Sequence, residues 1–134
     1  MTEKMGRVLL IDDERVDQMI YRRVLMKSGL VHSITAFEYA DEALAHLREP
    51  DCKPYDVIFL DINMPRMNGF EFLDVAFAEV GTSYARAVII MLTTSIEPRD
   101  KERAAKYDVV KDFINKPLTV AQVHQVAAFL DEQV

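Results

Sequence analysis

Cysteine occurs once in the 134 residues, at Cys52. A single thiol cannot close an internal bridge, so disulfide scaffolds and cysteine-rich zinc knuckles are excluded and a reducing compartment fits. Basic side chains are the minority sign: 16 Lys plus Arg stand against 22 Asp plus Glu, a formal charge of −6. Neutralising nucleic-acid phosphates needs a basic surface that this balance does not supply, so no direct nucleic-acid contact is expected. No apolar run approaches the ~20 residues of a membrane span. Residues 1–7 have no apolar segment like that of a secretory signal. Membrane insertion is therefore not expected, and the cytoplasm is the expected location. No repeat, low-complexity tract or linker interrupts the chain. No glycine-rich loop follows the first apolar run, and the acids there would repel a dinucleotide or flavin phosphate.

Half of the residues are hydrophobic, and a chain of this length buries roughly two-thirds of its unfolded surface without metal or disulfide support. One domain spanning residues 1–134, with no output domain, is expected. Apolar runs at residues 8–11, 34–37 (broken by Thr35), 57–60, 87–92 and 113–114 suit strands, the longer ones buried on both faces. Stretches of helical period separate and follow them: Val16, Ile20, Val24 and Leu25; Ala43, Leu44 and Leu47; Leu73, Ala76, Phe77 and Val80; Val123, Val126, Ala127 and Leu130. A further stretch, residues 97–107, is polar on most sides and is expected to pack thinly. Such alternation implies an α/β fold with a five-stranded parallel sheet and right-handed crossovers. The expected strand order is 2-1-3-4-5, with the first and fifth helices on one face and the other three opposite. Local signals set the boundaries: Gly29 after the first helix, Asn68-Gly69 opening the third, Pro98 in the first turn of the fourth, and a Thr119/Gln122 capping box starting the fifth.

In an open parallel sheet, ligands bind outside the carboxyl ends of the strands. Asp12, Asp13 and Glu14 follow the first strand, Asp61 the third, Thr93, Thr94 and Ser95 the fourth, and Lys116 with Pro117 the fifth. With strands 1 and 3 adjacent, Asp12, Asp13 and Asp61 converge, and carboxylates so placed repel one another unless a cation compensates. A hard divalent ion such as magnesium suits oxygen ligands of this kind. Taken singly, Asp12 or Asp13 reads as a helix cap, Thr93 as a sheet-edge hydroxyl and Lys116 as a surface amine. Together they supply an attacking carboxylate, a metal site, a hydroxyl and an amine for a phosphoryl group, as an aspartyl-phosphate site requires.

The strings LLIDDE from Leu9, FLDINMPRMNGFEFL from Phe59, MLTTS from Met91 and FINKPLT from Phe113 resemble the receiver domain of bacterial response regulators, the single-domain, CheY-like kind in particular. The resemblance covers essentially the whole chain and implies the flavodoxin-like receiver fold. It implies that Asp61 is the phosphoacceptor and that Asp12, Asp13, Asp61 and the Asn63 main-chain carbonyl hold Mg2+ or Mn2+. Thr93 becomes the switch hydroxyl, Lys116 the phosphate-binding amine and Phe113 the switch aromatic, with a cis bond between Lys116 and Pro117. Asn63 and Ser95 flank the path of attacking water, which suggests dephosphorylation in minutes rather than days. The implied partners are a histidine kinase or histidine phosphotransfer protein, docking near Arg15, Met19 and Arg22, and a downstream protein or second copy on the face formed by the fourth helix, fifth strand and fifth helix. Such a protein catalyses only its own phosphorylation and slow dephosphorylation.

Asn68 stands where the family often has aspartate, and Phe113 where tyrosine is commoner. Residues 81–86 lengthen a loop. His32, His46 and His124 fall on separate elements and form no acid–base or metal cluster. Two other functions compete. A phosphatase of the haloacid dehalogenase type would want aspartate at Asn63, an earlier nucleophile strand and a larger chain. A decayed interaction module would not retain the full set of Asp12, Asp13, Asp61, Thr93 and Lys116.

Overall fold

The computed structural model describes residues 5–79 and 88–132. The 81–86 segment, with Val80, Ala87 and the last two residues, lies outside them. The elements alternate throughout: β1 (Gly6–Ile11), α1 (Arg15–Ser28), β2 (Val31–Phe37), α2 (Ala40–Leu47), β3 (Val57–Asp61), α3 (Gly69–Glu79), β4 (Val88–Thr93), α4 (Pro98–Ala104), β5 (Val110–Asn115) and α5 (Val120–Glu132). The strands form one sheet in the order β2-β1-β3-β4-β5, with every pairing parallel. β1 and β3 are therefore neighbours, in register from Val8 against Val57 to Ile11 against Leu60.

Every residue of β3 and β4 is buried, which is why their sequences read as unbroken apolar runs. The outer strands are less covered, and both begin earlier than their apolar runs: β2 at Val31 and β5 at Val110. Edge strands carry polar residues such as His32, Ser33, Lys111 and Asp112, which break the hydrophobic pattern without breaking the ladder.

Side chains alternate across the sheet and feed two cores. Val8, Leu10, Val57 and Phe59 pack with Tyr21 and Leu25 of α1 and with Val123, Val126 and Ala127 of α5. Leu9, Ile11, Ile58 and Leu60 pack with Ala43 and Leu44 of α2, Phe72, Leu73 and Ala76 of α3, and Ala104 of α4. The expected two-and-three division of the helices holds. Within α4, Ala104 is the buried residue, and aromatic and polar contacts add to its attachment. Tyr107 donates a hydrogen bond to Asp74 of α3, and the Arg103 guanidinium lies 4.5 Å from the centre of the Phe70 ring.

The helix ends follow the local chemistry. Gly29 takes φ of 75°, and its N–H donates to the Met26 carbonyl. At the start of α3 the Glu71 N–H donates to Asn68 Oδ1 while the Asn68 N–H donates to Glu71 Oε1, each at 2.9 Å. Thr119 and Gln122 make the same reciprocal pair before α5.

Candidate functional site

The sheet ends its strands along one edge, and four chemically active side chains stand there. Asp12 follows β1, Asp61 closes β3, Thr93 closes β4 and Lys116 follows β5. Asp12, Asp61 and Thr93 are buried polar residues, unlike acids at an ordinary solvated loop. Backbone bonds fix the strand ends. Ile62 N–H donates to the Leu92 carbonyl at 3.1 Å, and Lys116 N–H to the Thr93 carbonyl at 2.8 Å. The Lys116–Pro117 peptide bond is cis.

Asp12, Asp13 and Asp61 each offer a carboxylate oxygen, and those oxygens lie within 4.8 Å of one another. Neither of the first two caps α1 in the ordinary way. Asp12 Oδ1 accepts from the Glu14 N–H at 2.9 Å, while Glu14 itself occupies the cap position. Asp12 Oδ2 thereby faces Lys116 Nζ at 3.0 Å, and Asp61 Oδ1 lies 3.3 Å from the same ammonium. One amine thus faces two of the three gathered acids. Burial raises the Asp12 carboxyl above its usual range. Burial, and then the Asp12 charge, push Asp61 up to about 7. Burial alone would lower the Lys116 ammonium, but its bond to Asp12 and the charges of Asp61 and Asp12 hold it above its ordinary value. An all-oxygen set with this excess of negative charge fits a hard divalent cation.

Thr93 Oγ1 donates to the Ser95 carbonyl at 3.1 Å and accepts from the Ser95 N–H at 3.2 Å, a local turn that holds the hydroxyl at the strand end. The Ser95 and Asn63 side chains are exposed. Phe113 is half-buried and packs on the core shared with α2, α3 and α4. It belongs to β5 and not to the acid cluster.

Two contributors, Asp17 and Gln18, escaped the reading of the sequence, as did the packing role of Gly69. Asp17 of α1 accepts a hydrogen bond from Lys116 Nζ at 3.2 Å. Gln18 Nε2 donates to the Asp12 carbonyl at 2.7 Å and to the Phe37 carbonyl at 2.9 Å, tying the β1 loop to the end of β2. Gly69 admits no side chain, because a Cβ there would lie 2.7 Å from the Asp61 carbonyl oxygen and 3.1 Å from Ile62 Cα. The turn before it holds Arg66 at φ of 69°, with its guanidinium 4.1 Å from the centre of the Tyr39 ring and paired with Asp41. Away from this edge, His46 Nε2 lies 2.7 Å from the Tyr55 hydroxyl and 3.8 Å from Cys52 Sγ. Among the described residues, Asp12, Asp13 and Asp61 are the group placed so that it could hold a metal ion.

Residues 8–128 match the family model described as response regulator receiver domain. Among curated proteins, the chain is 31% identical over 125 residues to hybrid signal transduction histidine kinase L of Dictyostelium discoideum, covering 91% of this chain and 7% of that protein. It is 27% identical over 124 residues to the sensory/regulatory protein RpfC of Xanthomonas campestris, covering 92% of this chain and 16% of that one. The two-component response regulator ORR41 of Oryza sativa is 27% identical, with 96% of each chain covered. Among solved structures, a two-component response regulator from Cytophaga hutchinsonii superimposes with a TM-score of 0.89 at 25% identity, over 96% of this chain and 98% of that one. The Vibrio cholerae chemotaxis protein CheY4 gives 0.78 at 26% identity, over 94% and 98%. The chain thus spans a small part of the two large sensory proteins and nearly the full length of the smaller regulators.

Proposed function

The chain belongs to the response regulator receiver domain family, and from that membership we propose that Asp61 is the phosphoacceptor of a two-component phosphorelay. One observation carries the reading: a buried aspartate at the end of β3 has two further carboxylates beside it and a lysine ammonium 3.3 Å away. The Asp61 carboxylate oxygen forms the new bond to phosphorus as the P–N bond of a phosphohistidine breaks. The bonding pair leaves with the imidazole nitrogen, which takes up a proton from solvent. From acetyl phosphate the P–O bond breaks and acetate leaves. Water later cleaves the acyl phosphate, restoring the carboxylate and releasing inorganic phosphate.

Asp12, Asp13 and Asp61, with the Asn63 main-chain carbonyl carried over from the family, are the proposed holders of Mg2+ or Mn2+. The ion supplies compensation for charge on the phosphoryl oxygens. Lys116 offers an N–H donor to a phosphoryl oxygen, and the Thr93 hydroxyl exchanges its Ser95 partners for another. Space vacated beside β4 is then open to the Phe113 ring, and the face of α4, β5 and α5 repacks to receive a downstream protein or a second copy. A shift of a few kcal/mol between two states suffices for such a change. The donor, a histidine kinase or phosphotransfer protein, is assigned to α1, whose outer side carries exposed Val16, Met19, Ile20 and Met26 beside Arg15, Arg22 and Arg23. Val16, Met19, Ile20 and Arg23 share one helical face by their spacing. Exposed apolar side chains so grouped mark a contact surface. Asn63 orients water and Ser95 is too small to shield the phosphoryl group, so its lifetime is assigned to minutes.

Stoichiometry tests the reading. With acetyl phosphate and Mg2+, each chain should take up a single phosphoryl group and then release phosphate slowly, with no uptake in chelator. Repeated rapid turnover of small phosphate esters would indicate a phosphatase instead, and no uptake under either condition an inert module.

A further inference from the structure

Lys116 meets a third carboxylate besides the two of the acid cluster. Its Nζ lies 3.0 Å from Asp12 Oδ2, 3.3 Å from Asp61 Oδ1 and 3.2 Å from Asp17 Oδ2. An ammonium has three N–H donors, and here each carboxylate comes from a different part of the fold: the β1 loop, the end of β3 and the first turn of α1. Asp17 is set apart from the other two. Asp12 and Asp61 belong to the carboxylate group whose oxygens lie within 4.8 Å of one another, and Asp17 does not. It is half-buried, one turn ahead of Tyr21 and two ahead of Leu25, the buried residues of α1. A charge therefore heads the stripe of α1 that faces the sheet, where an apolar side chain would otherwise continue the packing.

A divalent cation among Asp12, Asp13 and Asp61 would compete for carboxylates that hold Lys116, and its charge would repel the ammonium. Asp17 is the acid left to the amine. We propose that Asp17 is a positioning residue that retains and partly neutralises the Lys116 ammonium beside Asp61 while the cation is bound, and so strengthens cation binding through Lys116. The proposal rests on the phosphoacceptor reading of the pocket. It also gives α1, the helix assigned to the donor, a direct polar connection to the amine that meets the phosphoryl group.

Calorimetric titration of MgCl2 into the full chain, without any phosphodonor, tests this in a double-mutant cycle of wild type, Asp17→Asn, Lys116→Met and the double variant. Asp17→Asn should weaken Mg2+ binding about two- to fivefold, the range of a partly exposed ion pair. In the Lys116→Met background the same change should have little effect. Equal weakening in both backgrounds would mean that Asp17 acts on the ion directly, and no weakening in either would remove its role; both overturn the proposal. Asp17→Ser in the same cycle serves if the asparagine variant loses its far-UV circular dichroism. A wild-type chain that binds no Mg2+ would overturn the phosphoacceptor reading and this proposal together. A wild type that binds, with no coupling between the two positions, overturns only the proposal.

Discussion

The surroundings of Asp61 resist its ionisation. Burial and the nearby Asp12 push its carboxyl from the ordinary 3.8 up to about 7, so between those values the folded chain holds a proton that the unfolded chain has lost. Where the native state binds more protons, stability falls as pH rises. In the absence of divalent ions, the unfolding free energy of the wild type should therefore decline from about pH 4 to about pH 7 relative to Asp61→Asn, which has no such proton to lose. Denaturant titrations at several pH values read this directly, and parallel profiles for the two proteins would contradict it. Saturating Mg2+ should restore wild-type stability above pH 7 by stabilising the ionised form. At this scale the sequence was most informative where function sits at a strand end. Asp12, Asp13, Asp61, Thr93 and Lys116 each stand within two residues of the end of an apolar run, so the sheet topology gathers them. Asp17 lies inside a helix, and its partner Lys116 is distant in sequence. Helical period shows that Asp17 shares a side with Tyr21, but not that an amine from β5 meets it.

At the scale of elements, the junction of β3 with α3 decides how Asp61 is presented. Gly69 lets the helix start close against the strand end, and its own N–H donates to the Ile62 carbonyl at 2.9 Å. Gly69→Ala would set a methyl group 2.7 Å from the Asp61 carbonyl oxygen and 3.1 Å from Met91 Cε. The methionine can yield and the backbone cannot. The substitution should destabilise the fold by about 1–3 kcal/mol, the usual range for overpacking, and should slow labelling of Asp61 by moving its main chain. Urea denaturation and labelling rate check the two effects; an unchanged midpoint would show that the strand end is free to shift. The glycine was legible as a helix start, because Asn68-Gly69 follows a proline turn, but its packing role needs the distance to Asp61. Strand limits were less legible than strand existence. β2 and β5 start among polar residues because each is an edge of the sheet, and a search for apolar runs finds only their inner halves.

Across the whole molecule, the two cores hold a rigid sheet whose C-terminal edge collects acids from β1 and β3 and an amine from beyond β5. The parallel sheet was legible from the alternation of elements, and the expected order 2-1-3-4-5, which the structure shows, is the condition under which Asp12 and Asp61 come together. The surface ion pairs were not, because Arg15 with Glu38 and Arg66 with Asp41 each join the first turn of a helix to a residue outside the regular elements, which sequence patterns leave unplaced. The central claim is that this edge exists to let Asp61 accept a phosphoryl group with the help of a divalent ion. Intact-mass measurement after incubation with acetyl phosphate, on wild type and Asp61→Asn, with Mg2+ or with chelator, tests it most directly. The wild type with Mg2+ should gain the mass of a single phosphoryl group, and the chelated wild type and both Asp61→Asn samples should gain none. Equal labelling of the two proteins would contradict the account.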